Sequence, residues 1–122
     1  MTITVDVFIR DEAGEKEFID PDHPGDSLAG FEAYRKELYG CPLALQLGLT
    51  MLPTLREIYG VYAENPQELD QMEYEASTLL KNLDQVFPGV SPNDINGPAS
   101  NVKHIIKAVQ KAREIGGGVV IW

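Results

Sequence analysis

The last four residues, Val119-Val120-Ile121-Trp122, limit the folds open to this chain more than any other stretch. Read as a strand, they send Val119 and Ile121 to one side and Val120 and Trp122 to the other, so both faces are apolar and both need cover. One face can be met by helices. The other must be met by something else. Residues 2–10, TITVDVFIR, alternate with period two: Ile3, Val5, Val7 and Ile9 point one way, and Thr2, Thr4, Asp6, Phe8 and Arg10 the other. If the two terminal strands are neighbours, Phe8 joins Val120 and Trp122 on the sheet's outer face.

Between these strands the pattern is mostly helical. DEAG at 11–14 is a turn and EKEFI a short return strand, its edge guarded by Glu15, Lys16 and Glu17, which predicts an N-terminal hairpin. DPDHPGDS at 20–27 is a loop. Asp26 or Ser27 is then placed to cap a helix carrying Leu28, Phe31, Tyr34 and Leu38 and ending near Gly40. Residues 43–51, LALQLGLTM, fit helix by leucine content and strand by alternation, and the helix is preferred. Pro53 opens a short helix through Tyr62, with Leu55, Ile58 and Tyr62 inward.

Two helices are better marked. Asn65 is a good cap, Pro66 suits the first helical position, and Glu68 can return to the cap's backbone amide. Leu69, Met72, Ala76, Leu79, Leu80, Leu83 and Val86 continue as one stripe, which predicts a helix of about five turns. After the connector FPGVSPNDINGP, a second helix starts near Pro98, carrying Val102, Ile105, Ile106, Val109 and Ala112 inward and Lys103, Lys107 and Lys111 outward. At 122 residues the chain has room for one core, so residues 1–122 form a single domain. The expected fold class is α+β: a small, mostly antiparallel sheet, made of the N-terminal hairpin and the C-terminal strand, covered on one face by the helices at 66–87 and 98–115.

Gly116, Gly117 and Gly118 do not form a phosphate loop. Such loops run from strand to glycines to a helix N-terminus, whereas these glycines follow a helix C-terminus, whose exposed carbonyls repel anions. Gly116 reads as the left-handed residue that ends the helix. Asp20, Asp22, His23 and Asp26 are all metal-ligating types, but their spacing matches no known loop and a solvated turn accounts for them. Aligning Gly97 of NDING with the invariant glycine of a calcium loop puts Pro92 and Lys103 at ligand positions, so that alignment fails. Neither a metal nor a cofactor is expected. Cys41, in the apolar YGCPLAL, reads as a structural thiol, and His104 as a residue at the boundary of its helix's apolar stripe. No catalytic residue is assigned.

Acids outnumber bases 19 to 10, for a formal charge of -9, which disfavours nucleic acid and anionic membranes as partners. The N-terminus has no basic region ahead of an apolar run, and no window reaches membrane-spanning length, so a cytoplasmic location is expected. Residues 57–84 hold Glu57, Glu64, Glu68, Asp70, Glu73, Glu75 and Asp84 against Lys81 alone. Such a surface steers basic proteins. The expected function is therefore a protein-binding module, using Phe8, Val120 and Trp122 on the sheet and Tyr74, Glu73 and Glu75 on the acidic helix. Its partner would be a basic protein, or a second copy in a homodimer. In size, acidity and lack of a catalytic constellation the chain is similar, in general terms, to small bacterial single-domain proteins, among them the immunity proteins that inhibit toxins. The alternative is a small enzyme or ligand-binding domain with its site near Cys41, His23 and the tyrosines. Folding of segment 43–52 or 54–62 over the outer sheet face would instead make Trp122 part of the core.

Overall fold

A computed structural model describes residues 2–89 and 97–122. Strand β1 (Thr2–Arg10) turns into β2 (Lys16–Ile19), with Phe8 opposite Phe18 and Arg10 opposite Lys16. Asp11 closes this turn: its Oδ1 accepts the Ala13 and Glu15 amides, each at 2.9 Å, and Gly14 supplies a φ of 81°. Strands β3 (Leu28–Phe31), β4 (Val61–Ala63) and β5 (Gly118–Ile121) complete an antiparallel sheet of order β2-β1-β5-β4, with β3 paired to the Thr2–Thr4 end of β1. The terminal strands are neighbours: Val5 faces Ile121 and Val7 faces Val119.

The helices are α1 (Pro42–Gln46), α2 (Pro66–Lys81), α3 (Leu83–Val86) and α4 (Pro98–Ile115). Helix α4 lies against β1, β3 and β5, and α2 packs on α4 and β4. One core results, in which Ile3, Val5, Val7, Val119 and Ile121 meet Met72, Leu79, Val102, Ile105 and Val109. The α+β class, with helices on one side of a small antiparallel sheet, is the observed architecture. Asn65 caps α2 as its sequence indicates, its Oδ1 accepting the Glu68 amide at 2.9 Å. Glu68, however, takes the Glu64 amide at 3.0 Å, one residue before the cap. Gly116, at φ 69°, ends α4 in the left-handed conformation.

Three segments depart from expectation. Where a helix over 28–40 was expected, the chain forms β3 and then a π-helical turn, Arg35–Tyr39. The first residues of β1 need a pairing partner, and Gly30 at φ 122° lets the Tyr34 ring lie where a Cβ would stand. Residues 42–46 are helical, but the chain then leaves α1 at Gly48, φ 82°. Pro53 opens a 3-10 turn, Leu52–Arg56, and the expected helix stops there. Val61–Ala63 pair with β5 instead, so Ile58 is exposed and Tyr62 stands on the outer sheet face. The long stripe from Leu69 to Val86 is broken at Asn82 into α2 and α3. Residues 90–96 of the 87–98 connector, which include all of NDING but Gly97, lie outside the described residues.

Candidate interaction surface

Every second residue of β1, β2, β4 and β5 points away from the helices, and the register sets which of them meet. Phe8 stands between Phe18 and Gly118, while Asp6, Val120 and Tyr62 form the next row. Gly118 is needed for this arrangement, because a Cβ there would come 2.9 Å from both Phe8 Cζ and the Ala63 carbonyl oxygen. Phe8 makes edge-to-face contacts with Phe18 at 6.3 Å and Tyr62 at 6.0 Å between centroids. Trp122 extends the β5 pairing through its amide, which donates to the Thr4 carbonyl at 2.9 Å. Its ring stacks on Phe18 at 5.5 Å, and its Nε1 donates to Asp6 Oδ2 at 2.7 Å.

Among the described residues no helix covers this layer. Phe8 and Val120 are nonetheless 1% and 0% exposed, because the aromatic rings beside them exclude water, whereas Phe18 and Trp122 above them remain 46% and 39% exposed. The expectation that Phe8, Val120 and Trp122 share the outer face holds in geometry, with only Trp122 of the three open to solvent. Neither 43–52 nor 54–62 folds over the face as a helix.

Charge is placed on the same layer. The Lys16 Nζ lies 5.3 and 5.9 Å from the ring centroids of Trp122 and Phe18, and it meets Tyr62 at the hydroxyl, donating to Oη at 2.7 Å. Arg10 stacks on Phe8, its Cζ 5.4 Å from the centroid, and donates to both carboxylate oxygens of Glu64 at 2.7 and 3.1 Å. These bonds hold the Glu64 carboxyl below its ordinary pKa and raise that of the guanidinium. Lys16, Phe18 and Tyr62 were missed as members of this face. The hairpin itself held the signal for the first two: a turn at 11–14 sets Arg10 opposite Lys16 and hence Phe8 opposite Phe18.

The other interaction residues stand elsewhere. Tyr74 is exposed on α2, in the helical layer, and so does not share a face with Trp122. Glu73 accepts from Arg113 Nη1 at 2.8 Å, beside an Asp70–Arg113 bond of 2.6 Å. Glu75 is not a surface residue. It is 2% exposed, and its carboxylate accepts the amides of Thr50, Met51 and Leu52 at 2.8 to 3.2 Å, which fixes the entry to the 3-10 turn. Alternation with Glu73 and Tyr74 hid a carboxylate facing three backbone donors from outside its own helix.

The groups of the alternative site are dispersed. Cys41 is buried, and its Sγ accepts the Ala44 amide at 3.4 Å as the cap of α1. Tyr39 is buried and donates to the Ala29 carbonyl at 2.7 Å, and burial pushes its phenol pKa up. Tyr34 packs on Phe31 and Phe87, Tyr59 lies under the Arg35 guanidinium, and Tyr62 belongs to the outer face. His23 lines a groove of about 230 Å³ between the 20–26 loop and α4. That loop is tied to α4: Asp26 faces His104 Nε2 and Lys107 Nζ at 3.5 and 3.4 Å, and Asp22 faces Lys111 Nζ at 3.5 Å. His104 Nδ1 donates to the Leu28 carbonyl at 2.6 Å. The lysine row of α4, expected to be solvated, is thus partly a clamp on the acidic loop. Among the described residues no three His, Cys, Asp or Glu side chains converge as a metal set, and no helix is long and apolar enough to cross a membrane. No family model, curated protein or solved structure matches this chain.

Proposed function

We propose that the chain is a protein-binding module whose working surface is the open face of the sheet, and that its partner is a basic protein. The observation that carries this reading is the stacked Phe18–Trp122 pair, left about half exposed on a face that no helix of the described residues covers. Aromatic side chains at the centre of a surface, ringed by polar groups, are the usual energetic anchors of protein interfaces. Asp6 and Glu64 border the rings, and the formal charge of -9 favours approach by a cationic surface. An inhibitory role of the immunity type is compatible with such a face. It would follow from what the partner does.

A second reading is a homodimer through the same surface. It is supported by the presence there of both signs, Lys16 and Arg10 beside Asp6 and Glu64, which a two-fold axis can pair with their opposites. Sedimentation velocity at micromolar concentration and affinity purification from the native host, each on wild type and Trp122→Lys, test the two together. A basic protein retained by wild type at low salt, and lost from the folded Trp122→Lys variant, is the expected result. Concentration-dependent self-association abolished by the same substitution would move the conclusion to the homodimer. A wild type that binds nothing and stays monomeric would overturn both.

A further inference from the structure

The Lys16 ammonium sits in an aromatic enclosure with the composition of a cation-binding site. The Trp122 and Phe18 ring centroids lie 5.3 and 5.9 Å from Nζ, where an aromatic ring attracts a cation, and Tyr62 meets the same Nζ through its hydroxyl. The enclosure is held in place from outside. Trp122 is fixed by its Nε1–Asp6 bond and its stack on Phe18, and Tyr62 and Phe18 each meet Phe8 edge-on. Among the described residues no carboxylate lies within ion-pair distance of Lys16 Nζ, so its only direct hydrogen-bond acceptor is Tyr62 Oη at 2.7 Å. Lys16 itself enters from the edge strand β2 on a flexible four-carbon stem.

From this arrangement we infer that the enclosure of Phe18, Tyr62 and Trp122 is a recognition site for an alkylammonium head carried by the partner, and that Lys16 is its intramolecular stand-in. The inference rests on the open sheet face being the working surface, and it names the group that surface reads. A tethered lysine at a partly exposed site gains little from each ring and loses rotamer freedom by staying there. A partner's basic side chain, and more so one whose nitrogen is methylated and therefore less hydrated, makes the same ring contacts and can displace it. Charge supports this occupant over an anion. Asp6 and Glu64 lie beside the rings, and the whole chain is acidic. Once displaced, Lys16 stays on the same face as Glu64, whose carboxylate already senses its charge.

Trp122, the only tryptophan, reports on the site directly. Titrating the protein with choline at constant ionic strength should change Trp122 fluorescence saturably. The neutral isostere 3,3-dimethylbutan-1-ol should not. Lys16→Gln, which removes the resident cation, should bind choline about fivefold more tightly than wild type, the equivalent of losing one weak cation–π competitor. Tyr62→Leu should weaken binding by a similar factor. Wild type offers a readout that needs no variant: ring currents shift the Lys16 side-chain methylene protons upfield in NMR, and choline should return them towards their unperturbed positions. Equal response to choline and its neutral isostere, or Lys16 protons that do not move as choline saturates, would overturn the inference. Either result would leave intact any partner binding that Trp122→Lys abolishes, so failure here is separable from failure of the interface itself.

Discussion

The two faces of this sheet exclude water by different means. On the inner face branched aliphatic residues, Ile3, Val5, Val7, Val119 and Ile121, are covered by a second layer, α4 with α2 behind it. On the outer face the described residues supply no second layer, and large rings on neighbouring strands shield the smaller and more central residues. Phe8 and Val120 reach the same burial as the inner core, while Phe18 and Trp122 remain half open. Aliphatic side chains are too short to do this for one another. A sheet face can thus be desolvated at its base and still present a sticky, charged upper surface, which is the condition of a binding site rather than of a core.

The sharpest way to break this comparison is to truncate one residue on each side. Ile105→Ala, in α4 against the sheet, should cost about 2 to 5 kcal/mol in urea denaturation, because the site is closed on all sides and cannot collapse. Phe18→Ala removes a larger side chain but should cost only about 1 kcal/mol, since nearly half of it already faces water. Equal losses would mean that the outer layer is core by another name. Next in size is Glu75→Ala. Removing that carboxylate strips the Thr50, Met51 and Leu52 amides of their acceptor, for an expected loss of about 3 kcal/mol. A midpoint unchanged by this substitution would show that water satisfies those amides and that Glu75 is free for other work. Smaller again is Gly118→Ala, at about 1 to 3 kcal/mol, because the new methyl group collides with the Phe8 ring on one side and the Ala63 carbonyl on the other. The variant should also alter Trp122 fluorescence through Phe18, whereas Gly116→Ala, which meets no atom within 4 Å, should not.

How much of this was legible in the sequence depended on how local its cause was. The hairpin, the cap of α2, the start of α4 at Pro98 and the left-handed Gly116 follow from short-range rules and were readable, whereas the pairing of the terminal strands is a long-range contact that entered only as a condition. The segment from 28 to 62 was not readable. Leu28–Phe31 and Val61–Ala63 are strands because β1 and β5 each have a free edge to offer, and short apolar runs carry too little periodicity to announce that. Arg35 illustrates the same limit. Its guanidinium is buried and donates to the carbonyls of Leu55, Ile58 and Trp122, contacts from 20 to 87 residues away that no local pattern encodes. On the candidate surface, Phe8, Val120 and Trp122 followed from alternation once the terminal strands were taken as neighbours, and Phe18 and Lys16 needed only the hairpin register. Tyr62 required β4, and Glu75 required knowing which backbone lay opposite it.

The smallest expected effect tests whether the outer face is wet as well as open. Arg10 and Glu64 lie at its rim, with side chains 43% and 36% exposed, joined by two charge-assisted hydrogen bonds that hold the Glu64 carboxyl below its ordinary value. A carboxylate whose folded pKa is depressed contributes stability that is fully present above its unfolded pKa, about 4.3, and is lost as the pH falls through the lower folded value. Wild type and Glu64→Gln should therefore differ by a constant, small margin in denaturation midpoint from neutral pH down to about pH 5, and converge as the pH falls through the lowered folded value. Screening should shrink the margin as salt is raised, because the pair is bathed by solvent on its outer side. A margin that persists in acid, or is indifferent to salt, would mean that the pair is sealed from water. The face would then be closed at its rim, and the contrast between the two sides of the sheet would be one of residue type alone.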